Sequence, residues 1–313
     1  MRLAIPDFVS NSYFPAIAAA ELGLFRTEGL DIHEAELLFP VTKAMEALRN
    51  GQIDFVVGAA HATLQAFDDW QGAKMLAAVG RHMYWFLVLR SDLGVQRGDV
   101  QAVKGLRIGA APGVDVGLRG LLAAAGIDPG RDGVTIMPVP GSDQPSVSFG
   151  VTAAQALADG KLDGFWANGM GAEVAVRRGV GKIILDVRRG DGPPAARDFT
   201  FAALVTTDRL IAGNPAAVEK AMRGLLAAQR ALRQDPNLAT KAARHLFPPM
   251  ESDLIAELIL RDAPYYNPAI APATAASLNG FARSVGLLDA EVAYEGMVAT
   301  QFSHLWSPDF TSY

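Results

Sequence analysis

Two stretches of the chain carry one phrase: ALRNGQIDF at Ala47–Phe55 and ALADGKLDG at Ala156–Gly164. Both read Ala-Leu-x-x-Gly-x-[Ile/Leu]-Asp. In each, Ala-Leu closes a run with helical spacing, Gly51 or Gly160 supplies a left-handed exit, and Ile53 or Leu162 opens a buried strand. The Asp that follows is placed to satisfy loop amides at the strand's start. Any helix–Gly–strand junction can produce such a phrase once. Two copies, each joining the fourth and fifth elements of a similar unit, predict two lobes of one architecture.

Working outward, the first unit opens with a strand over Arg2–Phe8 and a polar break at Val9–Ser12. A helix follows over Tyr13–Phe25, with Phe14, Ile17, Ala18, Leu22 and Phe25 on one face, Ser12 as its N-cap and Pro15 in its first turn. Leu30–Leu38 alternates as a strand, Val41–Arg49 is helical, and Ile53–Ala60 is a buried strand. The second unit repeats the order: strand (Leu106–Gly113), helix (Val114–Gly126), strand (Val134–Val139), helix (Val151–Gly160), strand (Leu162–Asn168). Strand–helix alternation predicts a parallel α/β sheet in each unit. A Gly/Pro/Arg-rich break, RRGDGPPAARD (188–198), precedes a short apolar strand, FTFAALVTT (199–207). The remainder is helical, beginning with Asn214-Pro215 as cap and first turn and stopping at Asp235-Pro236.

At 313 residues, half of them hydrophobic and 19% charged, the chain has the profile of an ordered globular protein with room for two modest domains. A net charge of −5, with Arg177-Arg178 and Arg188-Arg189 as isolated basic pairs, argues against nucleic acid as a partner. The absence of cysteine excludes disulfides, thiolate metal sites and cysteine nucleophiles. His33, His61, His82, His245 and His304 have no metal-ligand spacing, so no metal and no cofactor is expected. GVGK (179–182) is too short for a P-loop, GMG (169–171) lacks the last glycine of a dinucleotide fingerprint, and no GxSxG occurs.

The run FPAIAAAELGLFRTEGLDIHEAEL (14–37), AMEALRNGQIDFVVGA (44–59), VKGLRIGAAPG (103–113), QALADGKLDGFWAN (155–168) and NPAAVEKAMRGLLAAQRALRQDP (214–236) resembles the periplasmic solute-binding proteins of ABC importers for nitrate, taurine, aliphatic sulfonates and thiamine pyrimidines. The likeness covers almost the whole chain, and its specificity lies in the order and spacing of these pieces. It implies an α/β, two-lobed periplasmic-binding-protein-like fold of type II, with two crossover strands and a ligand cleft between the lobes. Lobe one would be residues 1–90 plus 203–313 and lobe two residues 91–202, with VLRSDLG (88–94) and DFTFAALV (198–205) as the crossovers. The implied role is capture of a small organic solute by a monomer that hands it to a membrane permease. Its place is the periplasm if Met1 replaces a removed leader, and the cytoplasm otherwise. The same family resemblance includes enzymes. In an aromatic-sulfinate desulfinase the reactive cysteine lies after strand one, where this chain has Ser10-Asn11-Ser12; in a thiamine pyrimidine synthase a histidine acts near the end of strand three, close to His61. The missing thiol departs from both patterns and leaves His61 as the candidate for any catalysis.

Ligands of parallel α/β units gather beyond the carboxyl ends of the strands. That rule nominates Ser10, Asn11 and Tyr13 after strand one, with Ser12 read first as a cap. Phe39 follows strand two as a wall, with Thr42 as cap or hydroxyl donor. His61 ends strand three, where a lone histidine is either a hydrogen-bonded structural residue or a contact. Tyr84 and Trp85, in GRHMYWF, stand before the first crossover beside Arg81 and His82 and would suit an aromatic or carboxylated ligand. In the second unit, Pro112, Gly113, Val114 and Asp115 precede a helix whose free amides favour an anion. The Asp115 carboxylate competes for those amides, as a cap. Trp166 and Asn168 end the last strand as wall and hydrogen-bonding group.

Overall fold

Both copies of the repeated phrase form the same joint. Gly51 and Gly160 have φ of +71° and +67°, the left-handed turn that glycine adopts without strain. Behind them the amide of Gln52 donates to the Ala47 carbonyl at 2.9 Å and that of Lys161 to Ala156 at 3.0 Å, closing the helices Val41–Arg49 and Phe149–Ala158. The Asp of each phrase then reaches sideways. Asp54 accepts from the backbone N–H of Arg2 at 2.7 Å, and Asp163 from that of Arg107 at 3.0 Å. The amide satisfied belongs to the entrance of the neighbouring strand, so each phrase ties two strands together at their origins.

The computed structural model describes residues 1–143 and 148–306. Its strands are β1 (Leu3–Ile5), β2 (Glu36–Leu37), β3 (Phe55–Ala59), β4 (Ala73–Gly80), β5 (Phe86–Arg90), β6 (Arg107–Ala110), β7 (Thr135–Met137), β8 (Gly164–Ala167), β9 (Gly181–Asp186) and β10 (Ala202–Thr207). They form two five-stranded sheets of one topology, β2-β1-β3-β10-β4 and β7-β6-β8-β5-β9. The first three strands of each are parallel. The fourth, β10 or β5, runs antiparallel to both neighbours. Each sheet is therefore mixed, not parallel throughout. The fourth strand arrives directly from the other sheet and not through a helix on its own, so it enters in the opposite direction.

The chain passes between the sheets at 81–85 and returns at 187–201. The crossover expected at VLRSDLG lies within and after β5. Phe86–Arg90, assigned to the first lobe from sequence, pairs with β8 and β9 of the second sheet. Its run Phe86-Leu87-Val88-Leu89 is fully buried, as an apolar strand flanked on both edges should be.

Ser12 does not cap the first helix. Phe14–Glu21 starts behind Tyr13 with no side-chain cap, and the Ser12 hydroxyl is buried without a partner among the described residues. The Ser12 amide instead donates to Ser10 Oγ at 3.2 Å, winding the loop tightly before Pro15. Asn214 does cap the long helix Pro215–Gln234, accepting from the Ala217 amide at 3.1 Å. The helix Pro249–Asp262 packs on Pro215–Gln234 of the first lobe and on Gly169–Arg177 of the second, so it spans the boundary.

Candidate functional site

Where the carboxyl ends of β1, β6 and β8 converge, the two sheets enclose a narrow cavity. The first sheet's side contributes Pro6, Asp7, Tyr13, Phe39 and Val41; the second's contributes Ala111, Pro112, Val114, Phe149, Ala167 and Asn168; Trp85 stands on the passage between them. The volume open to the centre of a water-sized sphere is about 30 Å³. A single water needs about 10–15 Å³ on that measure, so the lobes stand close to contact. Phe39 and Phe149 stack across the gap, ring centres 6.1 Å apart.

Asp7 is the charged group of this lining, and its position follows from the end of β1. It is 8% exposed. One carboxyl oxygen accepts the Val9 amide at 3.1 Å, and the other accepts Asn168 Nδ2 at 3.0 Å, from the opposite lobe. The orientation of Asn168 is fixed, because its Oδ1 caps the helix Gly169–Arg177 by accepting the amides of Met170 (3.0 Å) and Gly171 (3.1 Å). Burial pushes the Asp7 carboxyl up to about 7, against the opposing pull of the Val9 and Asn168 hydrogen bonds. Tyr13, also in the lining, shares a hydroxyl–hydroxyl bond of 3.1 Å with Tyr84, and burial holds both phenols above their ordinary range.

Next to the cavity lies a second polar cluster between the lobes. Asp262, at the end of Pro249–Asp262, accepts Arg188 Nη2 at 2.7 Å, Arg261 Nε at 3.2 Å and the side-chain amide of Asn11. The oxygen of that Asn11 amide accepts from Met170 of the second lobe at 2.9 Å. Arg188 lies over the Tyr265 ring at 4.7 Å and Arg261 over Phe86 at 4.8 Å. Burial works against both charges of the Arg188–Asp262 pair. Their mutual attraction outweighs it, raising the guanidinium and lowering the carboxyl.

Of the residues nominated from sequence, Tyr13, Phe39, Trp85, Pro112, Val114 and Asn168 line the cavity. The others lie elsewhere. Ser10 is buried in its loop, Asn11 sits in the ionic cluster, and Tyr84 stands behind Tyr13. Trp166 is fully buried 6.0 Å from the Trp85 ring, its Nε1 without a partner among the described residues. Thr42 faces Gly113 across the lobes, near enough that a Cβ on Gly113 would stand 3.3 Å from its methyl. Gly113 turns there with φ +84°.

Two expectations about chemistry are corrected. His61 does not open on the cavity: it is fully buried, its Nε2 donating to the Gly113 carbonyl at 2.7 Å and its Nδ1 accepting from Thr200 Oγ1 at 3.0 Å. Packed edge-on against Trp85 and Phe281, it is pulled down to about 4 by burial, with the Gly113 carbonyl and Asp115 opposing. It is a neutral histidine that ties the lobes together. Nor does the APGVD turn offer free amides to an anion. Asp115 Oδ1 accepts the Gly113 amide at 3.0 Å and its other oxygen pairs with Arg119 at 3.2 Å, while the Val114 and Asp115 amides donate to the Ala111 carbonyl.

Pro6, Asp7, Val41, Ala111, Phe149 and Ala167 are the lining residues that sequence reasoning missed. A strand read through Phe8 placed Asp7 mid-strand. The structure ends β1 at Ile5, which puts Asp7 in the loop region where ligands gather. Among the described residues no group of His, Asp and Glu is arranged to hold a metal, and no helix is long and apolar enough to cross a membrane.

Comparison with solved structures places the fold. The ligand-binding component of an ABC-type import system from Staphylococcus aureus superposes with a TM-score of 0.71 at 14% identity, over 98% of this chain and 99% of that one. The periplasmic nitrate-binding protein NrtA from Synechocystis PCC 6803 gives 0.69 at 15% identity, over 99% and 90%. The desulfurization enzyme DSZB gives 0.64 at 16%, over 97% and 98%. At these identities the likeness is one of fold. No curated protein sequence matches the chain. The sequence model described as NMT1/THI5 like matches residues 10–239, most of both lobes. The chain belongs to the NMT1/THI5-like family, in its two-lobed α/β form.

Proposed function

We propose that this protein is the solute-capturing component of an ABC importer, binding a small organic molecule between its lobes and releasing it to a membrane permease. The carrying observation is a cavity lined from both sheets and spanned by the Asp7–Asn168 hydrogen bond. A ligand seated there touches both lobes, so it favours the closed arrangement by its differential affinity for it. The lining supports binding more than turnover. It holds four aromatic rings (Tyr13, Phe39, Trp85, Phe149) and few polar groups, the profile of a recognition pocket. His61, the residue a catalytic reading would need, has both ring nitrogens engaged and lies outside the lining. Work outside the cytoplasmic membrane as a monomer follows from this role.

Closure and turnover can be tested together. The chain has no cysteine, so Glu46→Cys and Lys161→Cys give one dye site on each lobe. A bound solute should raise energy transfer between them and leave the protein chemically unchanged, as read by native mass spectrometry. A solute released as a different compound would replace this function with an enzymatic one.

A further inference from the structure

We propose that the cavity selects small solutes carrying a protonated amine, held by the Asp7 carboxylate, and rejects sulfonates, nitrate and other anions. The inference deepens the binding function above and rests on it. Among the described lining residues there is a carboxyl and no Lys, Arg or His. The nearby guanidinium groups of Arg188 and Arg261 are both held by Asp262 in the neighbouring cluster and line no part of the cavity.

An anion could still be held by backbone amides at helix starts. Val41–Arg49 and Phe149–Ala158 begin in the lining, the first without a side-chain cap; the two other starts beside the cleft, Asp115–Ala124 and Gly169–Arg177, are occupied from within the chain. Asn168 Oδ1 takes the Met170 and Gly171 amides, Asn11 Oδ1 shares that of Met170, and Asp115 takes the amide of Gly113. Among the described lining residues an incoming anion would meet the Asp7 carboxyl and no cationic side chain, with the remaining N–H of Asn168, the Tyr13 hydroxyl and the Trp85 indole N–H as side-chain donors.

A cation meets the reverse situation. Among the described residues each Asp7 oxygen accepts one hydrogen bond, and a carboxylate oxygen has a second acceptor site to offer. Asn168 cannot rotate to present its oxygen instead, because that oxygen is committed to the helix. An ammonium N–H at Asp7 would form a charge-assisted hydrogen bond, with the Tyr13 and Trp85 rings beside it. The raised carboxyl of Asp7 agrees with this: burial disfavours its charge, and a bound cation would restore it. The apolar remainder of the lining, with Phe39, Val41, Pro112 and Phe149, suits an alkyl or aryl body on the amine.

The experiment is isothermal titration of the full chain with matched series of alkyl and arylalkyl amines, carboxylates and sulfonates of graded length, together with nitrate. Amines should bind, the matching anions should not, and Asp7→Asn should weaken the amines at least tenfold while circular dichroism stays unchanged. Anions binding more tightly than matched amines would overturn the selectivity and leave the binding function standing. Silence across every series would overturn both. Undiminished amine binding by Asp7→Asn would remove Asp7 from the site. Should that variant not fold, the wild-type comparison of amine with anion decides the matter alone.

Discussion

Replacing Asp7 by asparagine should tilt the pH dependence of stability by one proton. The folded state holds the Asp7 carboxyl at about 7, against an ordinary 3.8. Between those values the folded chain keeps a proton that the unfolded chain has lost. The stability linked to that proton is fully present below the ordinary value and is lost as pH rises through about 7. Roughly three units at about 1.4 kcal/mol each make this on the order of 4 kcal/mol. His61 works in the opposite sense, at about 4 when folded against 6.5. Its contribution is present above the ordinary value and lost as pH falls through the folded one, on the order of 3 kcal/mol. In the wild type the two slopes nearly cancel between about pH 4.5 and 6.5. Asp7→Asn uncovers the histidine, so its stability relative to wild type should rise by about 1.4 kcal/mol per pH unit across that window. His61→Gln should fall relative to wild type by the same slope. Urea unfolding at a series of pH values measures both. Subtracting the wild-type curve cancels the other shifted groups, Glu21, His82 and Asp186. Variant curves parallel to the wild type would refute the burial argument for both residues.

Three further outcomes are expected. Asp262→Asn leaves two guanidinium groups without their carboxylate between the lobes, a loss on the order of 3–5 kcal/mol; interlobe energy transfer should fall with it, and an unchanged transfer and melting temperature would count against the cluster as a latch. Gly171→Ala would put a Cβ 2.5 Å from the Gly150 Cα, where the helices Phe149–Ala158 and Gly169–Arg177 cross. Overpacking there should lower stability by about 1–3 kcal/mol, while Gly280→Ala, with nothing within 4 Å of its Cβ, should be neutral or gain up to about 1 kcal/mol; equal melting temperatures for the two variants would dismiss the crossing as a close contact. Asp54→Ala and Asp163→Ala should each cost about 0.5–1.5 kcal/mol for the lost hydrogen bond to an exposed amide, with Asp163 the greater because it also pairs with Arg107 and Arg90; a variant of either that unfolds at the wild-type urea concentration would break the equivalence of the two joints.

The sequence by itself determined whatever depends on neighbours a few residues away. Helix ends, left-handed glycines and the Asn214 cap answer to local sterics and hydrogen bonds, so the repeated phrase could be read as a joint and two joints as two lobes. The walls Tyr13, Phe39 and Asn168 were legible for a related reason: the carboxyl end of a strand points to one side of a sheet wherever it occurs. Only the tertiary structure decided direction, exposure and partner. The antiparallel entry of β5 and β10 depends on the chain having come from the other sheet. His61 proved structural because Gly113 and Thr200, 52 and 139 positions away, take both its nitrogens. Asp7 became the distinctive group of the cavity because Asn168, 161 positions away, reaches it from the opposite lobe. Local sequence sets how each segment ends; the charge a cleft presents is set by which distant groups have already satisfied one another, and that is a property of the folded arrangement.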